Sequence, residues 1–357
     1  MLATPEPFTL PPSFRDWSRF HPIVDVRSPS EFNEDHLPNS INLPVLSDQE
    51  RAEVGALYKK EPFAGRAQGA ALITANIARH LPTLINEWPR DARPLLYCWR
   101  GGLRSQSFSQ ILCSIGWRTT FLSGGYKSYR KEAIAQLKEL SIHLSPRFQV
   151  LTGLTGVGKT RLLKALANLQ KETIDLEELA NHRGSLLGNR GTQPHQKAFE
   201  SRLLCTLQSI PLEDNTPIFI EAESNKIGNC HLPPGFWKAL REAKVTQINL
   251  PLAKRSQLLR EDYAHFLSQP DLLIPLLDRL RPLRGHQQVN TWQEQIRTSD
   301  WDNFLNSILR DHYDLAYRPA GSEQSNYQVP SHEVHLTEIS SEELNKAAGA
   351  LLTHWNP

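Results

Sequence analysis

The sequence predicts two consecutive α/β domains, and three observations carry that reading. In the first half, short apolar runs alternate with segments of helical period, the pattern of a parallel sheet with crossover helices. At FQVLTGLTGVGKTRLLKALANL (148–169) an apolar run passes through a glycine-rich loop into a helical pattern. A chain of 357 residues is also long for a single core.

Taken in order, PIVDV (22–26) is the first clear strand, and ALITANIARHLPTLINEW (71–88) has a helical period. PLLYC (94–98), SQSFSQILCSIGW (105–117) and TTFLSGG (119–125) follow as strand, helix and strand. A helix at YRKEAIAQLKEL (129–140) leads to SPR (145–147), read as a linker. The domains are therefore set at 1–140 and 146–357. In the second, TPIFIEAES (216–224) and KVTQINLPL (244–252) are strand-like, and a charged helical region runs to about residue 284. The last forty or so residues are polar and irregular, with a helical end over 340–354.

Composition narrows the class. The net charge of +2 neither demands nor excludes nucleic acid. The basic clusters YKSYRK (126–131) and RLRPLR (279–284) read, each alone, as solvated faces. Four cysteines at 98, 113, 205 and 230 have neither disulfide-framework nor zinc-site spacing. The stretch MLATPEPFTLPPSFRDW has no basic segment followed by an apolar one, so no secretory signal is expected. No apolar run approaches bilayer length, and a cytoplasmic location with reduced thiols is the expectation.

LLYCWRGGLRS (95–105) is the first stretch that carries chemistry. A loop of this length after a strand can turn its backbone N–H groups inward, with glycines permitting the close approach. The N-terminus of the next helix adds to the attraction for an anion, and a thiolate at Cys98 would be stabilised there. Arg100 and Arg104 offer guanidinium forks for phosphate-like oxygens. Five residues separate Cys98 from Arg104, the spacing of cysteine phosphatases. Gly101, Gly102, Leu103 and Ser105 complete the loop. Cys113, Cys205 and Cys230 lack this setting and read as packing residues.

GLTGVGKT (153–160) is the second, and fits GxxxxGK[ST] in strand–loop–helix context. The loop of Gly153, Gly156, Val157 and Gly158 would cradle two linked phosphates, Lys159 would reach the outer one, and Thr160 can hold Mg²⁺. Later, Glu221 and Glu223 close an apolar strand and either orient a metal or water or simply cap the strand. In DLEELANHRGSLLG (175–188), Asp175, Glu177, His182, Arg183 and Ser185 are further candidates beside a phosphate or linked to a metal. A solvated turn is the competing reading there.

These stretches carry a resemblance. VDVRSPSEFNEDHLPNSINLP (24–44) and FLSGGYKSY (121–129) resemble the signature of rhodaneses, which carry sulfur or selenium on the loop cysteine. Across residues 10–330 the chain resembles the tRNA 2-selenouridine synthase family. DVRSPSEF, YCWRGGLRS, GLTGVGKT, DLEELANHRGS and QPHQKAFE (193–200) are the most specific segments. LLG (186–188) departs mildly from the expected pattern. The resemblance implies a rhodanese-like domain followed by a P-loop NTPase-like domain. It also implies a two-step transferase acting on wobble 2-thiouridine in tRNAs for Lys, Glu and Gln. Geranyl diphosphate first alkylates the sulfur; selenophosphate then supplies selenium as the geranylthio group leaves. Cys98 would take selenium as a perselenide or assist the displacement directly, with Arg100 and Arg104 on the phosphate. No tightly bound cofactor, membrane or DNA is expected. Arg161, Lys164 and RLRPLR are candidates for RNA phosphate contacts.

Rival readings pair a P-loop kinase or NTPase with an attached sulfurtransferase or phosphatase domain, or leave the first domain as a docking module. A phosphatase would need a general acid, and the sequence locates none.

Overall fold

The chain's fold is known from a computed structural model, which describes residues 4–11, 14–184, 188, 190–317, 320–322 and 325–355. It divides into two units: residues 1–139 with 194–208, and residues 140–193 with 209–357. The sequence boundary had assigned 194–208 to the second domain. Within the first unit, the helix Gln196–Ser209 is held by polar contacts that no local pattern announces. Ser201 Oγ donates to buried Asp35 at 3.0 Å, Lys197 Nζ pairs with Glu34 at 2.7 Å, and Arg130 pairs with Glu200.

Among the described residues the first unit holds five short strands: β1 (Glu6–Phe8), β2 (Ile23–Asp25), β3 (Ser40–Asn42), β4 (Leu95–Tyr97) and β5 (Thr120–Leu122). They form one parallel sheet in the order β1-β5-β4-β2-β3. The central strands β2 and β4 are buried throughout, as a sheet covered on both faces requires. Val24, Val26, Leu96, Ile77, Phe108 and Leu112 make the core beside them. From β2 the chain moves outward to β3 and then returns to β4 on the other side. The strand order reverses there, and ligands of open α/β sheets bind at the carboxyl ends of strands at such a point.

The helix read at 71–88 starts earlier, at Pro62, and runs to Glu87. Gly65 and Gly69 made this start hard to read, since glycine disfavours helix interiors. They serve packing instead: a Cβ on Gly65 would lie 2.5 Å from the Tyr58 Cα in the preceding helix, Asp48–Lys60.

In the second unit the sheet contains β6 (Phe148–Thr152), β7 (Glu172–Ile174), β8 (Ile218–Glu221), β11 (Lys244–Asn249) and β12 (His332–His335), with a small antiparallel pair, β9 (Lys226–Ile227) and β10 (Cys230–His231), set apart. The order β12-β11-β6-β8-β7 is parallel throughout and puts β6 in the centre. SPR is not a free linker: residues 145–147 form one tight helical turn, and Arg147 donates to the carbonyls of Thr216 and Pro211 at 2.8 and 2.7 Å. The tail is also more regular than its polarity suggested. HEVH forms edge strand β12, in which only Val334 is buried, so the apolar alternation was too thin to read. Beyond β11, helices that include Arg281–Arg297 and Trp301–Ile308 pack around fully buried Trp292.

Candidate functional site

In the first unit, the loop after β4 is closed from a distance in sequence. Gly125 opens the helix Gly125–Leu144, and its Cα lies so close to the loop that a Cβ would stand 2.2 Å from the Cys98 carbonyl oxygen. Tyr126 N–H donates to that carbonyl at 2.8 Å and Lys127 N–H to the Trp99 carbonyl at 3.0 Å. Gly101 adopts φ +64°, and a Cβ there would lie 2.3 Å from the Leu122 carbonyl oxygen. The glycine pair 124–125 and Gly101 thus fix the loop's shape because no side chain fits between them.

Cys98 itself is 4% exposed. Its body packs in the core, but its sulfur meets polar groups: Gly102 N–H and Ser105 Oγ each donate to Sγ at 3.3 Å. The sulfur is therefore held by polar groups on its loop side rather than by the core alone. Ser105 lies in the first turn of the helix Leu103–Ile115, whose N-terminus faces the loop.

A carboxylate stands at this loop. Glu31 is the third residue of the helix Pro29–Glu34, where its side chain accepts from the Ser28 backbone N–H at 3.3 Å in a capping box. The same oxygen pairs with Arg104 Nη1 at 3.0 Å and Arg51 Nε at 2.7 Å. Burial pushes the Glu31 carboxyl up, but Arg104 and Arg51 outweigh it and hold it below the usual carboxylate range. Deeper in the unit, Arg27 is buried and bidentate to Asp25, with its guanidinium 4.0 Å from the Tyr126 ring centroid. That explains the Asp-x-Arg of DVRS as scaffold beneath the loop.

In the second unit, the glycine loop leaves β6 and enters the helix Lys159–Asn168. Gly153, Gly156 and Gly158 have φ of +153°, +80° and +85°. A Cβ at Gly156 would lie 2.4 Å from Leu259, and one at Gly158 2.9 Å from Ile339. The helix N-terminus and loop amides face a cavity of about 340 Å³. Lys159, Thr160, Arg161 and Arg183 line it, with Leu258, Leu259 and Tyr263 as an apolar wall. Lys159 Nζ donates to the Gly153 carbonyl at 3.4 Å. Arg255, 2% exposed, braces the loop: Nε donates to the Thr155 carbonyl at 2.8 Å while the guanidinium grips Asp314.

The acid that closes β8 belongs to this site. Thr160 Oγ1 donates to Glu221 Oε2 at 3.1 Å, and the Glu177 N–H donates to Oε1 at 2.9 Å. Burial, then the neighbouring Glu177 and Asp175, raise Glu221 well above the usual carboxylate range. Glu223 is pushed up to about 8 by burial and Glu177, against the pull of Lys159. Among the described residues no three His, Cys, Asp or Glu side chains converge to hold an ion alone. Mg²⁺ on a phosphate loop needs less protein than that: one hydroxyl, phosphate oxygens and waters. Thr160 and Glu221 fit that set, because crowded buried carboxylates favour a divalent cation.

The comparisons with known proteins agree with this architecture. A family profile for a rhodanese-like domain matches residues 13–132, and one described as the tRNA 2-selenouridine synthase AAA domain matches 146–271. A tRNA 2-selenouridine synthase of Marinobacter nauticus is 30% identical over 355 residues, covering 94% of this chain and 93% of the relative. The chain belongs to the tRNA 2-selenouridine synthase family. Its relative in Shewanella sp. strain MR-7 is 37% identical over 83% of this chain and 86% of its own length. The Nitrosomonas europaea synthase is also 37% identical, over 68% of this chain and 63% of the relative. The family's two domains are thus a rhodanese-like parallel-sheet unit and a P-loop unit, the fold class the sequence implied.

The sequence candidates distribute unevenly over these two loops. Cys98, Gly101, Gly102 and Ser105 shape the first, Arg100 and Leu103 are exposed, and Arg104 is engaged by Glu31 rather than waiting unpaired. Gly156, Val157, Gly158, Lys159, Thr160, Glu177, Arg183 and Glu223 line the second cavity. Asp175 is a helix cap instead, accepting from the Glu178 N–H at 2.7 Å. His182 accepts from the Gly184 N–H through Nδ1 at 3.0 Å, which holds the turn, and burial lowers its pKa. Ser185 and residues 186–187 lie outside the described residues. Of the proposed RNA contacts, Lys164 lines the cavity and Arg161 pairs with Glu261 and Asp262. Arg281 and Arg284 are spent on Asp278 and His312 within their own helical layer. Sequence reasoning missed Glu31, Arg51, Arg255 and Asp314. A capping-box pattern marked Glu31 as a helix start; nothing local marked the others.

Proposed function

We propose that this chain converts wobble 2-thiouridine of tRNAs for Lys, Glu and Gln to 2-selenouridine in two steps, in the cytoplasm, using geranyl diphosphate and selenophosphate. One observation carries the reading: the phosphate cradle at Lys159 has an apolar wall of Leu258, Leu259 and Tyr263 directly beside it. A nucleotide phosphate needs the cradle alone; an isoprenoid diphosphate needs both.

In the first step the thiocarbonyl sulfur of the base attacks C1 of geranyl diphosphate. The C1–O bond breaks, its electron pair leaves with diphosphate, and the N3 proton of the base passes to water. Charge accumulates on the departing diphosphate, where the loop amides and Lys159 meet it. Arg183, over the Tyr263 ring at 4.9 Å, adds a second cation on that side. Thr160, with Glu221 beside its hydroxyl, would hold Mg²⁺, which would neutralise phosphate charge when bound.

In the second step selenium replaces the geranylthio group at C2. Selenium in selenophosphate is already at the selenide level, so forming a perselenide on Cys98 would demand an oxidant. The redox-neutral course is direct assistance. Cys98 sulfur attacks phosphorus, the P–Se bond breaks, and hydroselenide is released. Hydroselenide adds at C2 and geranylthiolate departs, taking up a proton from water. Water then hydrolyses the thiophosphate on Cys98 to phosphate and thiol. Gly102 N–H and Ser105 Oγ hold the attacking sulfur in place, and Arg100 reaches the phosphate oxygens from the loop's exposed side.

Mass spectrometry of wobble nucleosides tests the whole reading. tRNA incubated with the protein and geranyl diphosphate is expected to yield S-geranyl-2-thiouridine, and added selenophosphate to convert it to 2-selenouridine. Nucleotide hydrolysis with an unchanged base would establish the NTPase reading instead.

A further inference from the structure

A second cavity, of about 260 Å³, opens at the carboxyl ends of β6 and β8 and shares Thr155, Lys159 and Glu223 with the phosphate cavity. Its own walls are Tyr317, Tyr327, Ala316, Ser224 and Asn326. The lysine that meets the diphosphate therefore borders two spaces: the first holds Gly156, Gly158 and the helix start, whereas the second touches the loop at Gly153 and Thr155. A displacement at an allylic carbon needs its nucleophile within van der Waals reach of that carbon without crossing the leaving group. The acceptor consequently requires its own entrance beside Lys159.

We infer that this second cavity is the subsite for the extruded nucleobase that accepts the alkyl group, with Tyr317 as its stacking platform. The inference rests on the proposed alkylation and names where its acceptor sits. The cavity is smaller than the phosphate cavity, and a single pyrimidine suits it better than a nucleoside diphosphate. Its aromatic hydroxyls are already engaged: Tyr317 Oη donates to Gln247 Oε1 at 3.3 Å, and Tyr327 Oη accepts from the Glu223 N–H at 2.9 Å. Tyr327 also packs its ring edge-on against Trp237, at 5.9 Å between centroids. Gln247 is itself fixed by Thr152 Oγ1, which donates to Oε1 at 2.9 Å. Tethered by their hydroxyls, the rings are preorganised, which suits recognition of an unstacked loop base. Asn326 adds the amide donor and acceptor that an edge of a pyrimidine requires, while Ser224 Oγ is already bonded to the Lys226 backbone.

The test uses the full chain and an anticodon stem-loop RNA carrying 2-thiouridine at the wobble position. Near-ultraviolet irradiation of the complex, followed by peptide mapping, is expected to place an adduct on Tyr317 or Tyr327; no adduct on either overturns the inference. Ala316 is exposed, so Ala316→Trp fills the cavity without disturbing the core. Ala316→Trp and Tyr317→Ala are expected to raise KM for the RNA about ten-fold, on the scale of one lost base stack. Calorimetric binding of geranyl diphosphate should stay unchanged, and Tyr317→Phe, which keeps the ring but loses its tether to Gln247, should raise KM less than Tyr317→Ala. Equal effects on RNA and geranyl diphosphate, or none on RNA, overturn the inference. The two readings fail separately. An adduct at Tyr317 without base geranylation keeps the subsite and removes the alkylation; geranylation with adducts only elsewhere does the reverse.

Discussion

Gly125 and Cys98 meet backbone to backbone, 27 positions apart in sequence: no Cβ fits at Gly125, because it would stand 2.2 Å from the Cys98 carbonyl oxygen. Gly125 also sits at φ +58°, where an L side chain is strained. Gly125→Ala is expected to push the loop outward and cost about 2 kcal/mol or more. A lowered thermal midpoint together with lost selenium incorporation is the expected result. An unchanged midpoint would mean that the loop is held by something other than this contact.

Cys98→Ala separates the two steps. The phosphate cradle is untouched, so S-geranyl-2-thiouridine should accumulate while 2-selenouridine is absent. Nucleoside mass spectrometry reads both products in one sample. Selenouridine formation at the parental rate would remove Cys98 from the chemistry.

Glu31 gives the first loop a pH dependence. Its folded carboxyl sits below the usual value despite burial, because Arg104 and Arg51 favour the charged form. A depressed carboxylate stabilises the fold above its unfolded value, near 4.5, and that contribution is lost as pH falls through the lower folded value. Glu31→Gln should therefore be less stable than the parent at pH 7, and the two melting curves should converge in acid. A constant gap across that range would rule out the ion pairs as its source.

How far the sequence was legible follows from how local each signal is. The glycine loop at 153–160 and the cysteine loop at 98–104 were readable because each is one strand end, one turn and one helix start. Glu221 was readable as an acid ending an apolar run, but its tie to Thr160 spans 61 positions and its role stayed open. The pairing of Arg104 with Glu31 and of Arg255 with Asp314 joins positions 73 and 59 apart, and no periodicity encodes such a match. β12 and the docking of helix Gln196–Ser209 are tertiary effects too. One is an edge strand with a single buried side chain, the other a helix held by polar contacts with Glu34, Asp35 and Arg130.

In the proposed first step Lys159 and Thr160 meet the diphosphate. Lys159→Ala should reduce geranylation by about 10²-fold or more, the usual scale for losing one donor at developing charge. Selenium incorporation into RNA that is already geranylated should persist, since the proposed second step runs on Cys98 instead. Thr160→Ala should weaken the Mg²⁺ dependence of geranylation while leaving the fold intact, because among the described residues its hydroxyl bonds Glu221 alone. Comparing rates over a magnesium titration reads this directly. A mutant with the parental magnesium profile would place the ion elsewhere.

Arg255 holds the phosphate loop by its own backbone. It is 2% exposed, donates to the Thr155 carbonyl at 2.8 Å, and forms two bonds to Asp314 at 3.0 and 2.5 Å. Removing it leaves a carboxylate without its partner and a loop carbonyl without its donor, costing roughly 3 kcal/mol. Arg255→Lys keeps the charge but cannot span both partners with one planar fork, so it should recover stability only in part. Because the contact is to the loop backbone and not to substrate, the larger effect should be on affinity for diphosphate, measured by calorimetry in the folded variants. Parental affinity in Arg255→Lys would show that the loop keeps its shape without this brace.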